Sequence, residues 1–290
     1  MKKLTLLLAA LTVASAAYAK EVMPVAEVEA APMLKVTSIG QFIEVDNTSG
    51  GNDIGTVMLG NSVGLAYGDD WTFGLMARKD WAMDTDDGIK SDGHRLELSA
   101  WKDMGDYSLG FKWRGEENKD RYLLRTKYSY GMVSGWIDAG YESYNNSKED
   151  NDQWYLEMMP VKVSYGPVTV GYYMEGGLVT ESTSTDEDLE SWAVHQIRLY
   201  APLYSTEKLA LSAECRYQFA HDKEYQGNTG WDKATEHIGI LKAKYALTED
   251  LTIDGYYRYD FQSYDRKDDN AADKADNYYG EFCVGWTYKF

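Results

Sequence analysis

The 290-residue chain is poor in four things: it has five prolines, two cysteines, four histidines, and only 29 Lys and Arg against 47 Asp and Glu. The formal net charge of -18 excludes nucleic acid as an evident partner. Beyond the first nineteen residues there is no run of about 18 apolar residues, so no transmembrane helix is expected. The mean hydropathy of -0.51 agrees. Cys215 and Cys283 fall by parity on opposite faces of their segments, so their Cβ vectors diverge and no disulfide is expected. The acidic runs Asp84 to Asp87 and Ser184 to Glu190 lack the central Gly and closing Glu of a calcium loop. The Gly-rich stretch Leu59 to Gly68 lacks the strand–GxGxxG–helix setting of a nucleotide site. No metal and no cofactor is therefore expected.

What the chain does have is aromatic residues, 24 Tyr, 9 Trp and 7 Phe, which suit strands and interfacial belts. The last stretch shows how they are used. From Tyr278 to Phe290, alternate residues are Tyr278, Gly280, Phe282, Val284, Trp286, Tyr288 and Phe290. The intervening ones are Tyr279, Glu281, Cys283, Gly285, Thr287 and Lys289. Strand side chains alternate between faces, so this segment has one apolar, aromatic face and one polar face. That is the pattern of a strand crossing a bilayer between two aromatic girdles. The alternative is a soluble antiparallel edge strand. At the other end, Lys2 and Lys3 precede an apolar run and Ala17-Tyr18-Ala19, the pattern of a secretory signal over 1–19. Residues 20–32 form a short periplasmic linker, and 33–290 the folded region. An exported membrane protein without spanning helices has to be a closed barrel.

Fourteen alternating segments follow. They are Met33–Val45, Ile54–Tyr67, Trp71–Trp81, Gly93–Met104, Tyr107–Glu116, Arg121–Tyr130 and Trp136–Tyr144. The second seven are Gln153–Tyr165, Val168–Gly177, Ser191–Ala201, Lys208–Phe219, His237–Leu247, Leu251–Ser263 and Tyr278–Phe290. Gly68-Asp69-Asp70, Gly105-Asp106 and Gly166-Pro167 are turn signals after even-numbered segments. Connections after odd-numbered segments are mostly longer and polar. An even count with short turns on one side and longer loops on the other predicts an all-β, antiparallel, up-and-down transmembrane barrel. A sandwich or propeller would not segregate loop lengths this way. The short connection near Asn118 leaves twelve strands as the alternative. Parity breaks near Pro160, which predicts a β-bulge there.

The inward parity is polar nearly everywhere. It carries Arg78 and Arg95 on the third and fourth segments, Lys112 and Arg114 on the fifth, and Arg121, Arg125 and Lys127 on the sixth. Acidic positions follow: Asp138 and Glu142 on the seventh and Glu175 on the ninth. Arg198, Glu214 and Arg216 come next, then Asp254, Arg258 and Asp260 on the thirteenth and Glu281 on the last. So many ions cannot be buried dry, so they line a water-filled lumen. Neighbouring strands make one arc basic and the next acidic, with local cross-strand pairs within each arc.

The strand plan resembles the monomeric porin G family of outer-membrane barrels. HQIRLYAPL (His195 to Leu203), YMEGG (Tyr173 to Gly177) and GYYRYDF (Gly255 to Phe261) are similar to stretches of that family. The terminal Phe290 resembles the assembly signal by which the barrel assembly machinery takes up outer-membrane barrels. The resemblance implies a monomeric channel for passive diffusion of ions and small sugars, in contact with outer-membrane lipid and lipopolysaccharide. Fourteen strands close into a cylinder of roughly 28 Å, leaving a lumen of about 15 Å. Asp and Glu crowd the long connections, and this acidic mouth predicts a mild cation preference. The basic arc keeps a channel for acidic oligosaccharides open as the alternative. A barrel enzyme is the weaker alternative, because His94, His195, His221 and His237 form no Ser-His-Asx set on adjacent inward positions. A surface adhesin is weaker too, because its loops would have to be longer. The family also uses a histidine pair as a pH switch. Here His221 and His237, flanking one loop as hairpin neighbours, are the candidate pair.

Overall fold

The computed structural model describes residues 33–48, 54–84, 88–145, 151–182, 189–225, 232–266 and 274–290. The expected signal (1–19) and linker (20–32) lie outside the described residues, as do parts of both acidic runs. The first seven strands are β1 (Leu34–Thr48), β2 (Ile54–Tyr67), β3 (Trp71–Asp84), β4 (Gly88–Asp103), β5 (Tyr107–Glu116), β6 (Lys119–Tyr130) and β7 (Val133–Tyr144). The others are β8 (Asn151–Tyr165), β9 (Val168–Ser182), β10 (Leu189–Ser205), β11 (Leu209–Tyr225), β12 (Asp232–Ala246), β13 (Leu251–Arg266) and β14 (Lys274–Lys289). Each pairs antiparallel with the next, and β14 pairs with β1 over Ser38↔Lys289 to Thr48↔Tyr279, which closes the barrel. The count is fourteen. β5 and β6 are joined through Glu117 and Asn118 alone and pair from Tyr107↔Tyr128 to Gly115↔Asp120. Closure matters because a sheet edge in lipid would leave backbone N–H and C=O groups without partners.

The short turns form as their residues dictate. Gly68, Gly105, Gly131 and Gly166 all have positive φ, between 58° and 86°. A glycine enters that region without a Cβ penalty, and it reverses the chain between two strands. The Asp103 carboxylate accepts the Gly105 N–H at 3.0 Å and tightens one of them.

The faces sort inside out relative to a soluble barrel. Leu124 is 71% exposed on the outer wall, and Trp154 and Leu241 are each 59% exposed there. On the inner wall Glu142 and Asp260 are each 1% exposed. The outer face is suited to lipid and the inner one to water and ions. A small apolar set also faces inward: Leu123, Met159, Ile238 and Ile240 are buried among the charged residues. The expected bulge is present. The β8–β9 register shifts between Met158 and Val161, so Trp154, Leu156 and Met158 face outward, then Val161, Val163 and Tyr165. Pro160 has no N–H to lose there, and its carbonyl accepts the Tyr128 hydroxyl.

The strands run higher than alternation alone indicates. β11 continues to Tyr225 rather than stopping at Phe219, and β14 starts at Lys274 rather than Tyr278. Above the apolar band both faces are wet, so the two-residue period fades while the ladder continues.

One position shows how tightly the wall is packed. A Cβ on Gly140 would lie 1.7 Å from the Tyr122 carbonyl oxygen, which is backbone and cannot rotate away, whereas one on Gly239 would meet nothing within 4 Å. Gly140→Ala should therefore cost about 1–3 kcal/mol or prevent folding, and Gly239→Ala should be nearly neutral. Urea unfolding of the two variants in detergent, followed by tryptophan fluorescence, measures the difference.

Candidate channel lining

The inner wall is built from alternate residues of each strand, and register decides which charges meet. On the basic arc, Arg78 lies opposite Arg95, and Arg114 opposite Arg121. Like charges placed directly opposite destabilise a sheet, so each needs a carboxylate close by. Arg78 donates to Asp80 at 2.8 Å, two residues along its own strand. Arg95 meets Glu116 at 2.5 Å. Glu97 takes Arg114 at 2.6 Å and Lys112 at 2.7 Å. Arg121 bonds Glu142, and Arg125 meets Asp138 at 2.9 Å. The carboxylates of β7 thus compensate the excess cations of β6.

Aromatic rings complete this side. The Arg125 guanidinium and the Lys127 ammonium both lie 4.8 Å from the Trp101 ring centre. Arg198 stacks at 3.3 Å on the Tyr173 ring, and Arg121 at 3.9 Å on Tyr155. Such contacts hold long cationic side chains flat against the wall. Between them, Glu157 and Glu175 are register partners on β8 and β9. The hydroxyl of Tyr155 reaches Glu175 at 2.6 Å, and that of Tyr173 reaches it at 2.7 Å. The same two hydroxyls reach Glu157 at 3.1 and 3.0 Å.

The opposite wall is acidic. Arg258 meets Asp260 at 2.5 Å and Glu281 at 3.4 Å. Tyr256 donates to Glu44 at 2.5 Å and also contacts Glu281. The carboxylates of Glu44, Asp46 and Glu281 gather within 4.8 Å of one another. Between the two walls, Glu214 bridges Arg216 at 2.6 Å and Lys242 at 2.5 Å. Asp254 is exposed opposite Lys244, near the short-turn end.

Most of the charged positions that parity assigns to the inward face are drawn into pairs. Glu44 and Asp46 of β1 join the inward acidic set without having been expected there. Their signal was present in the alternation of Gly40, Phe42, Glu44 and Asp46. Tyr256 falls on the inward parity of the thirteenth segment, whereas the inward rings Trp101, Tyr155 and Tyr173 are not singled out, because an aromatic residue on a polar face gives no separate signal.

The histidine pair does not form. The β11–β12 register ends at Tyr217↔His237, with His237 stacked on the Tyr217 ring at 5.0 Å on the outer face. His221 lies four residues further along β11, opposite Val194 of β10 and beyond a bulge that reverses parity. The expectation failed because it assumed that β11 ends at Phe219. The two cysteines behave as expected: Cys215 is exposed, Cys283 is buried, and both are free. Phe290 packs edge-on against Tyr288 with ring centres 5.1 Å apart.

No family model matches the chain, and no curated protein matches it. Solved structures do. A bacterial polysaccharide outer-membrane secretin is 12% identical over 88% of this chain and 98% of its own, with a TM-score of 0.53. OmpT of Vibrio cholerae is 11% identical over 91% of this chain and 100% of its own, with a TM-score of 0.49. An anion-selective porin from Comamonas acidovorans is 11% identical over 89% and 100%, with a TM-score of 0.47. At these identities the likeness is one of fold: a closed, outer-membrane-type β-barrel.

Proposed function

We propose that the protein is an outer-membrane channel for passive diffusion of ions and small hydrophilic solutes, with the open plan of the porin G family. The observation that carries this reading is the inside-out barrel, apolar on its outer wall and lined on its inner wall by paired charges. Such a lining costs several kcal/mol per ion to dehydrate, so it is stable only against water. The long-range field has two sides, a basic arc over β3 to β6 and an acidic one over β13, β14 and β1. With a chain charge of -18, the mouth attracts cations and the overall preference is mildly cationic.

Acidic oligosaccharides are the second reading. The cluster of Trp101 with Arg125 and Lys127, each 4.8 Å from its ring centre, favours it, since an aromatic ring beside two cations suits a sugar ring that carries a carboxylate.

Liposome swelling tests the first reading. A lumen of about 15 Å should admit a neutral trisaccharide. Swelling with monosaccharides but not trisaccharides would contradict an open channel. Faster entry of a uronic-acid disaccharide than of its neutral analogue would favour the second reading.

A further inference from the structure

The lumenal charges are sorted along the barrel axis as well as around it. Depth follows from counting residues along each strand from its short-turn end, because the tight hairpins hold those ends at one level. In the lower half one carboxylate serves two cations, and this happens twice. Glu97 holds Lys112 and Arg114, and Glu214 holds Arg216 and Lys242. Two more cations there are held by neutral groups. Arg198 rests on the Gln196 amide oxygen and the Tyr173 ring, and Lys127 on the Trp101 ring. Lys162, opposite Ser134 and below the β8 bulge, adds another inward cation. Each of these cations stands within seven residues of the short-turn end of its strand.

The upper half reverses the ratio. There one cation serves three carboxylates: Arg258 meets Asp260 at 2.5 Å, Glu281 at 3.4 Å and Glu236 at 3.9 Å. All three carboxylates lie eight to ten residues from the short-turn end, above Arg258 at seven. Glu44 and Glu157, at ten and eight residues, take tyrosine hydroxyls. On β4 to β7 the upper level is close to balance, with Arg95 on Glu116, Arg121 on Glu142 and Lys119 near both carboxylates. Asp138 and Asp254 lie low, but each faces a cation of its own, Arg125 and Lys244, and Glu175 stands at the boundary, seven residues up. Over the whole ring, the lower half keeps a surplus of cations and the upper half a surplus of carboxylates.

We propose that the channel rectifies, passing more current when its loop side is positive than when it is negative. This rests on the reading that the barrel conducts, and it adds a direction to that reading. The acidic upper half gathers mobile cations and the basic lower half mobile anions. A field from the loop side to the short-turn side drives both populations toward the middle, where they accumulate and conduct. The opposite field draws both away and leaves the middle depleted. At physiological salt the Debye length of about 8 Å matches the half-width of a lumen about 15 Å across, so wall charge acts over the whole section. At about 1 M salt it falls to about 3 Å, and the centre of the pore conducts as bulk electrolyte. The two halves favour opposite ions, so neither ion is strongly excluded and the overall preference stays mild.

The test is the single-channel current–voltage curve of the full-length protein in a planar bilayer. Asn145→Cys, exposed on the loop side, is labelled with biotin in a Cys215→Ser, Cys283→Ser background. Streptavidin added to one chamber then reports the orientation of each channel. At roughly 0.1 M salt the current should be about twofold larger with the loop side positive, and the ratio should approach one at about 1 M. Lys127→Gln, Lys162→Gln and Arg198→Gln together remove lower cations that are not the partners of a carboxylate, and should roughly halve the excess of the ratio over one. Lys102→Gln, which removes a cation from the outer rim, should leave the ratio in place. A conducting wild type with a symmetric curve, a larger current with the loop side negative, or a ratio that the triple change does not move would each overturn the proposal. A barrel that heat-modifiable migration shows to be folded and inserted, yet carries no current, would overturn the channel reading and the proposal with it.

Discussion

Replacing Arg95, Arg114 and Arg125 together with glutamine should raise cation selectivity. These cations sit on one arc of the inner wall, each 23–24% exposed to the lumen. About 8 Å into water, one unit charge acts with ~0.5 kcal/mol, which a Debye length of about 8 Å reduces to ~0.2 kcal/mol. Three such charges amount to ~0.6 kcal/mol, or about threefold in local cation concentration. The change also removes one cationic partner each from Glu97, Glu116 and Asp138, which acts in the same direction, although Glu97 keeps Lys112 and Glu116 keeps Lys119. A reversal potential in a salt gradient should therefore move toward the cation limit, and the shift should shrink at high salt. An unmoved potential would show that this arc does not line the conducting path.

The second large effect is on stability. Glu142 is 1% exposed and anchors the β6–β7 wall. It accepts from Arg121, from Tyr144 at 2.9 Å and from Gln153 at 3.0 Å, and Lys119 stands 3.7 Å away. Glu142→Ala would leave the Arg121 guanidinium without its carboxylate in a crowded site. Breaking a buried pair from one side costs about 3–5 kcal/mol. The pair of Lys102 and Asp70, 3.2 Å apart at the short-turn rim, is 38% and 48% exposed. Asp70→Ala should thus cost under about 1 kcal/mol. Urea midpoints of the two variants, followed by tryptophan fluorescence, should differ accordingly. Equal midpoints would mean that water reaches Glu142 freely.

Much of this architecture is legible in the sequence because one face of each strand must meet lipid. That constraint imposes the two-residue period, from which parity assigns positions such as Arg78 and Glu281 to the inward face. The bulge at Pro160 was visible for the same reason, as a break in the outward series Trp154, Leu156 and Met158. The period stops informing where lipid stops. The upper end of β11 carries charge on both faces, at Asp222, Lys223 and Glu224, so alternation does not show its extent, and the expected His221–His237 pairing rests on a strand end that does not exist. Lumenal packing was also hidden. Tyr155 and Tyr173 are 3% exposed beneath arginine side chains, and Ile238 and Ile240 are 4% and 5% exposed. Composition distinguishes wet from lipid-facing positions, but it does not show how long side chains fold over one another inside the ring.

The central claim is that the inside-out wall encloses a conducting path. Single-channel recording of the purified protein in a planar lipid bilayer tests it most directly. Insertion should give discrete conductance steps at neutral pH with a mild cation preference in a salt gradient. A bilayer that stays electrically silent, although heat-modifiable migration shows the barrel folded and inserted, would contradict the account.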